Sequence, residues 1–276
     1  MVTRRDYTAE AVAAARSVLI ELVHLLGQYR EHTVLIGGWV PELLLSSRAT
    51  PHVGSMDIDL ALDHRSIPAA GYKMIRDLLL DRGYIQGAQP FVYYRDIESG
   101  NKTIRVQVDF LSGEYAGTGK GHRHQKKVQD LLVRKVRGCD LAFDMAQEVT
   151  VAGNLPGEGL DTVNIRVASV VPFLIMKGMA LDERLKEKDA WDIYFCLLHY
   201  PGGIVSLAEA FRPHLEHGLI REGIEKIRKH FSSLNHIGPK FVADFEEVED
   251  AEERSRIMRD AYERVQALLD SMVNHK

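Results

Sequence analysis

The chain has 276 residues, 45% of them hydrophobic and 27% charged, with a formal net charge of −4; this excludes a disordered chain and a protein that coats nucleic acid indiscriminately, and the length suits two ordinary domains. Its two cysteines, Cys139 and Cys196, have no paired metal-ligand spacing, which argues against a disulfide framework or structural zinc site and for a reducing compartment. With no apolar run of about 18 residues and no signal-peptide pattern behind Met1, the expectation is a cytoplasmic protein with no membrane partner.

Val12, Ala15, Leu19, Leu22 and Leu26 recur at helical spacing, so residues 8–30 are predicted as an amphipathic helix covering one side of a sheet. The apolar run from Thr33 to Ile36 reads as a strand ended by Gly37-Gly38, and the helix near 40–47 that follows has Pro41 close to its start. Strand, glycine turn and helix start make a phosphate-binding geometry: glycine lets the backbone approach a ligand, and amides at a helix start favour anions. A strand over 56–62 comes next. Alternate side chains share a face, so Asp57 and Asp59 point one way while Ile58 and Leu60 point the other, into a core.

A helix from about Pro68 to Asp81, capped by Ser66, leads to a hairpin of Phe91 to Ile97 and Lys102 to Leu111, joined through Glu98-Ser99-Gly100-Asn101. Its second arm carries Asp109 between Val108 and Phe110. The segment from Gly113 to Gly121 is not a P-loop, since it has one residue too many before Gly119-Lys120 and Gly121 where Ser or Thr is needed; it reads as a mobile loop that orders over substrate. Seven basic residues, Lys120, Arg123, Lys126, Lys127, Arg134, Lys135 and Arg137, accompany one acid, Asp130, and form a candidate track for RNA phosphates. Between Asp244 and Glu253 seven of ten residues are acidic, a solvated face that repels nucleic acid. Short strands near 147–151 and 162–167 complete the sheet, and the helical pattern from Ser169 predicts domains of 1–167 and 168–276.

Two ionised carboxylates side by side on a half-buried strand repel each other and lose hydration unless a cation sits between them, and their hard oxygens suit Mg²⁺ or Mn²⁺. With Asp109 as a third carboxylate, the set is sufficient for two-metal phosphoryl transfer.

The order Gly37-Gly38, Asp57-x-Asp59 on a following strand and Asp109 on a further strand resembles the polymerase-beta-type nucleotidyltransferase superfamily over about residues 33–111. Residues 165–194, through Lys177-Gly178-Met179-Ala180-Leu181, Arg184 and Lys188-Asp189-Ala190-Trp191-Asp192, are similar to the Lys…Ala-Leu…Arg…Lys-Asp-x-x-Asp signature of the AbiEii-type family, which includes toxins of toxin-antitoxin and abortive-infection systems. The resemblance implies an α+β fold, a nucleotidyltransferase core with a small mixed sheet flanked by helices followed by an α-helical C-terminal domain. It implies Asp57 and Asp59 as ligands of both ions, and Asp109 as ligand of the catalytic ion that helps draw the proton from the acceptor hydroxyl. Gly37, Gly38, Ser55, Lys177, Arg184, Lys188, Asp189 and Asp192 are the implied nucleotide-binding set, with Lys177 the best candidate for a phosphate contact.

On one continuous helix the spacings of Lys177, Arg184 and Lys188 would align a cationic stripe. The 18 residues between Gly38 and Asp57 exceed what the superfamily pattern leads one to expect, so Arg48 to Val53 reads as a local insertion and Gly54-Ser55 as a second candidate for the glycine-serine element. Trp191 and Tyr194 read as core, and His52 and His64 as incidental. The implied function is transfer of a nucleoside monophosphate from an NTP to a macromolecule, an RNA (tRNA) 3′ end or a protein hydroxyl, by a toxin with a cognate antitoxin. A small-molecule acceptor such as an aminoglycoside, which the acidic segment keeps open, and a non-catalytic interaction module are the alternatives.

Overall fold

The computed structural model of the chain describes residues 3–47, 49–63, 66–67, 74–113, 126–128, 131–157 and 159–273. Arg48, His64, Pro68, the 114–121 loop, Lys120 and Arg123 lie outside the described residues. The chain is mixed α/β. It divides into two compact units, one of Tyr7–Leu43 with Gly54–Ser169, the other of Met1–Asp6, Leu44–Val53 and Val170–Lys276.

The first unit opens with α1 (Ala9–Leu25), whose N-cap Thr8 accepts from the Ala11 amide. The helix predicted to reach residue 30 ends sooner, and a 3₁₀ turn over Gly27–His32 replaces its last part; Gly27 lowers the helical preference there. Then come β1 (Thr33–Ile36), α2 (Trp39–Leu44), β2 (Asp57–Leu62), α3 (Ile75–Asp81), β3 (Ile85–Gln86), β4 (Val92–Ser99) and β5 (Lys102–Gly113). They are followed by β6 (Lys126–Val128), β7 (Leu131–Val136), α4 (Asp140–Asp144), β8 (Ala146–Asn154) and β9 (Leu160–Ala168). Ser66 does not cap α3: its hydroxyl bonds Asp63, and the helix starts after Met74 with no side-chain cap.

The sheet runs β3-β4-β5-β2-β1-β9-β8. Pairs β2/β5 and β1/β9 are parallel, and the other pairs on this path are antiparallel. The predicted hairpin is β4/β5. Leu111 pairs with Ala61 of β2 and also with Arg134 of β7, so β7 flanks β5 on the side away from β2, taking over where β4 begins at Val92 opposite Asp109. On one face of the sheet Ile58, Leu60, Val106, Val108 and Phe110 are buried with Val18, Leu19 and Leu22 of α1. Burying each such side chain contributes about 1.5–3 kcal/mol, enough to fix which residues of β2 and β5 face outward.

The second unit holds, among the described residues, α5 (Val170–Arg184), α6 (Glu187–His199), α7 (Gly203–Phe211), α8 (Gly218–His230), α9 (Ile237–Phe245) and α10 (Ala251–Val273), with 3₁₀ turns over Arg4–Asp6 and over Arg212–His214 after α7. The expected cationic stripe is absent because the helix is not continuous: Leu185 takes a left-handed φ of 48° between Arg184 and Lys188. Trp191 is core, 2% exposed, and its indole N–H donates to Glu246. Glu246 also accepts from Arg4, so this member of the acidic segment is a packing partner and not part of a solvated face. None of the described helices is long and apolar enough to cross a membrane.

Candidate active site

Asp57 pairs in register with Gln107, and Asp59 with Asp109, across the parallel strands β2 and β5. Register partners on neighbouring strands share a face and stand about 5 Å apart, so three carboxylates and one amide form a square on the face opposite α1. The glycine turn closes one side. Gly37 has φ 72°, and a Cβ placed on it would lie 2.0 Å from Asp59 Oδ2. The missing side chain was expected to make room for a ligand; the nearest neighbour it makes room for is the Asp59 carboxylate itself. The Gly37 carbonyl accepts from the Val40 amide at 3.1 Å and starts α2.

Neutral side chains hold the square in place. The Ser55 hydroxyl donates to Asp57 Oδ1 at 2.5 Å, the Trp39 indole N–H to the Asp57 carbonyl at 2.9 Å, and the Gln107 amide to Asp109 Oδ1 at 2.9 Å. Two ionised carboxylates about 5 Å apart at an effective dielectric near 20 repel by about 3 kcal/mol. Burial pushes the Asp109 carboxyl above its ordinary range; the Gln107 hydrogen bond opposes this, the charge of Asp57 adds to it, and Arg134 opposes it. Cys139 is fully buried, and burial followed by the charges of Asp140 and Asp59 pushes its thiol up, so it is inert as a nucleophile. A Cβ on Gly113 would lie 1.9 Å from Asp140 Oδ1, which puts a fourth carboxylate over the face that carries Asp109.

Three hard carboxylates on one half-buried face, with Asp109 penalised by burial, fit Mg²⁺ or Mn²⁺. As the side chains stand, no three His, Cys, Asp or Glu groups among the described residues converge on one point. Asp57 and Asp109 instead accept from Ser55 and Gln107, bonds that loading would exchange for the ion.

In the second unit the predicted helical residues meet in one ion network. Lys177 Nζ lies 2.9 Å from Asp189 and 2.6 Å from Asp192, Arg184 forks onto both Asp189 oxygens at 2.7 Å, and Lys188 reaches Asp192 at 2.9 Å. Burial would raise the Asp192 carboxyl, but Lys177 and Lys188 hold it well below the usual range. His52 is not incidental: it is buried, its Nε2 lies 3.0 Å from Asp192, and its ring packs on Trp191 and Phe195. Burial lowers its pKa to about 4, so near neutral pH it is uncharged and Nε2–H is the donor. This contact gives the segment Leu44–Val53 a physical reason to belong to the helical unit. Arg184, 45% exposed, is the outermost member of this network.

Among the described residues of the basic block, two neighbours on one strand point to opposite faces. Lys126 and Lys127 lie on β6 and Arg134 and Lys135 on β7, with Arg137 just beyond. Alternation along β7 puts Arg134 on the Asp109 face, as partner of Leu111, and Lys135 on the opposite one, as partner of Ser112.

Ser55, in the implied nucleotide-binding set and the second candidate for the glycine-serine element, has its hydroxyl on Asp57. Trp39, Gln107 and Asp140 were missed; only Gln107 carried a sequence signal, two residues before Asp109 and so on the same face. No protein-family model matches the chain, and no curated protein matches it significantly.

Proposed function

We propose that the face bearing Asp57, Asp59 and Asp109 transfers a nucleoside monophosphate from an NTP to a macromolecular acceptor, foremost an RNA 3′ end, and that the chain is a polymerase-beta-type nucleotidyltransferase of the AbiEii kind, working as a toxin beside a cognate antitoxin. The observation that carries this reading is the register of Asp59 with Asp109, with Asp57 one pleat away and the bare Gly37 backbone against Asp59. In this reading Asp57, Asp59 and Asp109 hold Mg²⁺ or Mn²⁺, which when bound supplies Lewis acidity and neutralises the leaving pyrophosphate.

The chain's own residues do the rest. Gly37 and Gly38 offer backbone to the donor phosphates, while Ser55 and Gln107 orient Asp57 and Asp109. Asp109, whose carboxyl burial makes more basic, takes the proton of the acceptor hydroxyl.

The test incubates parent and variants with each labelled NTP, Mg²⁺ and total cellular RNA. Asp57→Asn, Asp59→Asn and Asp109→Asn are expected to remove transfer while the protein stays folded, since each relieves like-charge repulsion. Variants that transfer as well as the parent would refute the reading.

A further inference from the structure

Across the sheet the strands run β1, β2, β5, β7 beside the site, so the row reads Gly37 after β1, Asp59 on β2, Asp109 on β5 and Arg134 on β7. Arg134 shares the face of Asp109, one register step farther along, because its partner Leu111 is two residues past Asp109. Among the described residues no carboxylate stands within ion-pair distance of its partly exposed guanidinium. A planar fork of five donors beside a carboxylate face matches a phosphate, which it can grip with two parallel hydrogen bonds. β7 is also the inner strand of the β6/β7 ribbon, whose outer strand carries Lys126 and Lys127. Arg134 therefore ends the carboxylate row on the side opposite the Gly37 turn.

We propose that Arg134 grips a backbone phosphate of an RNA acceptor and so sets the attacking hydroxyl beside Asp109. This rests on the nucleotidyl-transfer reading above, and it distinguishes Arg134 from the rest of the basic block: it positions as well as attracts. Arg134 is a positioning residue, and it affects the acceptor and not the donor.

The experiment measures binding of a short fluorescent RNA by anisotropy over a range of salt, together with transfer kinetics, for the parent, Arg134→Ala, Arg134→Lys and the control Lys102→Ala on the distant end of β5. Arg134→Ala is expected to reduce the salt slope of RNA binding by about one counterion. It should also lower kcat/KM for RNA by about 10- to 100-fold, with KM for NTP unchanged. Arg134→Lys should keep the salt slope but recover kcat only in part, because a point charge attracts phosphate without the fork. Lys102→Ala should match the parent. The proposal is overturned if Arg134→Ala binds RNA with the parent's slope, if it raises KM for NTP instead, or if Lys restores the full rate. Absence of transfer in the parent, with RNA binding still dependent on Arg134, would sink the transfer reading and leave the phosphate contact standing.

Discussion

Replacing Gly37 by alanine separates a backbone effect from an active-site effect, because Gly100 supplies a matched control. Both glycines are left-handed, with φ 72° and 60°, so alanine at either should destabilise the protein by about 1–2 kcal/mol. They differ in what a Cβ meets. At Gly100 nothing lies within 4 Å, whereas at Gly37 the new carbon would sit 2.0 Å from Asp59 Oδ2, where real Cβ atoms essentially never approach below 3.0 Å. Asp59 would have to retreat by about 1 Å, and a displacement of that size at a reacting centre lowers rates by about 100-fold. Urea unfolding and labelled-NTP transfer should therefore show similar stability losses in the two variants, with a loss of transfer confined to Gly37→Ala. Transfer by Gly37→Ala within about threefold of Gly100→Ala would refute the idea that this turn exists to seat Asp59.

Asp192→Asn should destabilise the helical unit by about 3–5 kcal/mol in thermal or urea unfolding, since it removes the buried charge that Lys177 and Lys188 share; a stable variant with only weakened NTP use would show that the network serves ligand and not fold. Because burial lowers the His52 pKa to about 4, unfolding takes up a proton between there and its ordinary value of 6.5. Stability should thus be full above that window and fall through it by about 3 kcal/mol as pH drops. His52→Gln, facing the same Asp192, Lys177 and Lys188, should lose this slope, and an unchanged slope would contradict the buried neutral imidazole. Ser55→Ala should lower kcat about tenfold with KM for NTP unchanged if the hydroxyl only orients Asp57; a raised KM would assign it a donor contact instead.

The strands were legible where side chains alternate between a buried and an outward face, as in Asp57 to Leu60 and Val106 to Phe110, because the apolar half fixes the register. The Gly100 turn was legible for the same local reason. What escaped was set by partners distant in sequence. β7 looked like part of a basic run because Arg134, Lys135 and Arg137 hide its period of two, and only pairing with Leu111 assigns its faces. The left-handed Leu185 that breaks the cationic stripe carries no glycine to announce it. His52 sits in what read as an insertion, and its role comes from Asp192, 140 positions away.

The most direct test of the central claim gives the parent protein, Mg²⁺ and RNA an NTP labelled either at the α- or at the γ-phosphate. Nucleotidyl transfer at the Asp57, Asp59 and Asp109 face predicts that only the α-label enters RNA, that the γ-label leaves as pyrophosphate, and that Asp59→Asn abolishes both events. Entry of the γ-label into the acceptor, or α-labelling undiminished in Asp59→Asn, would contradict it.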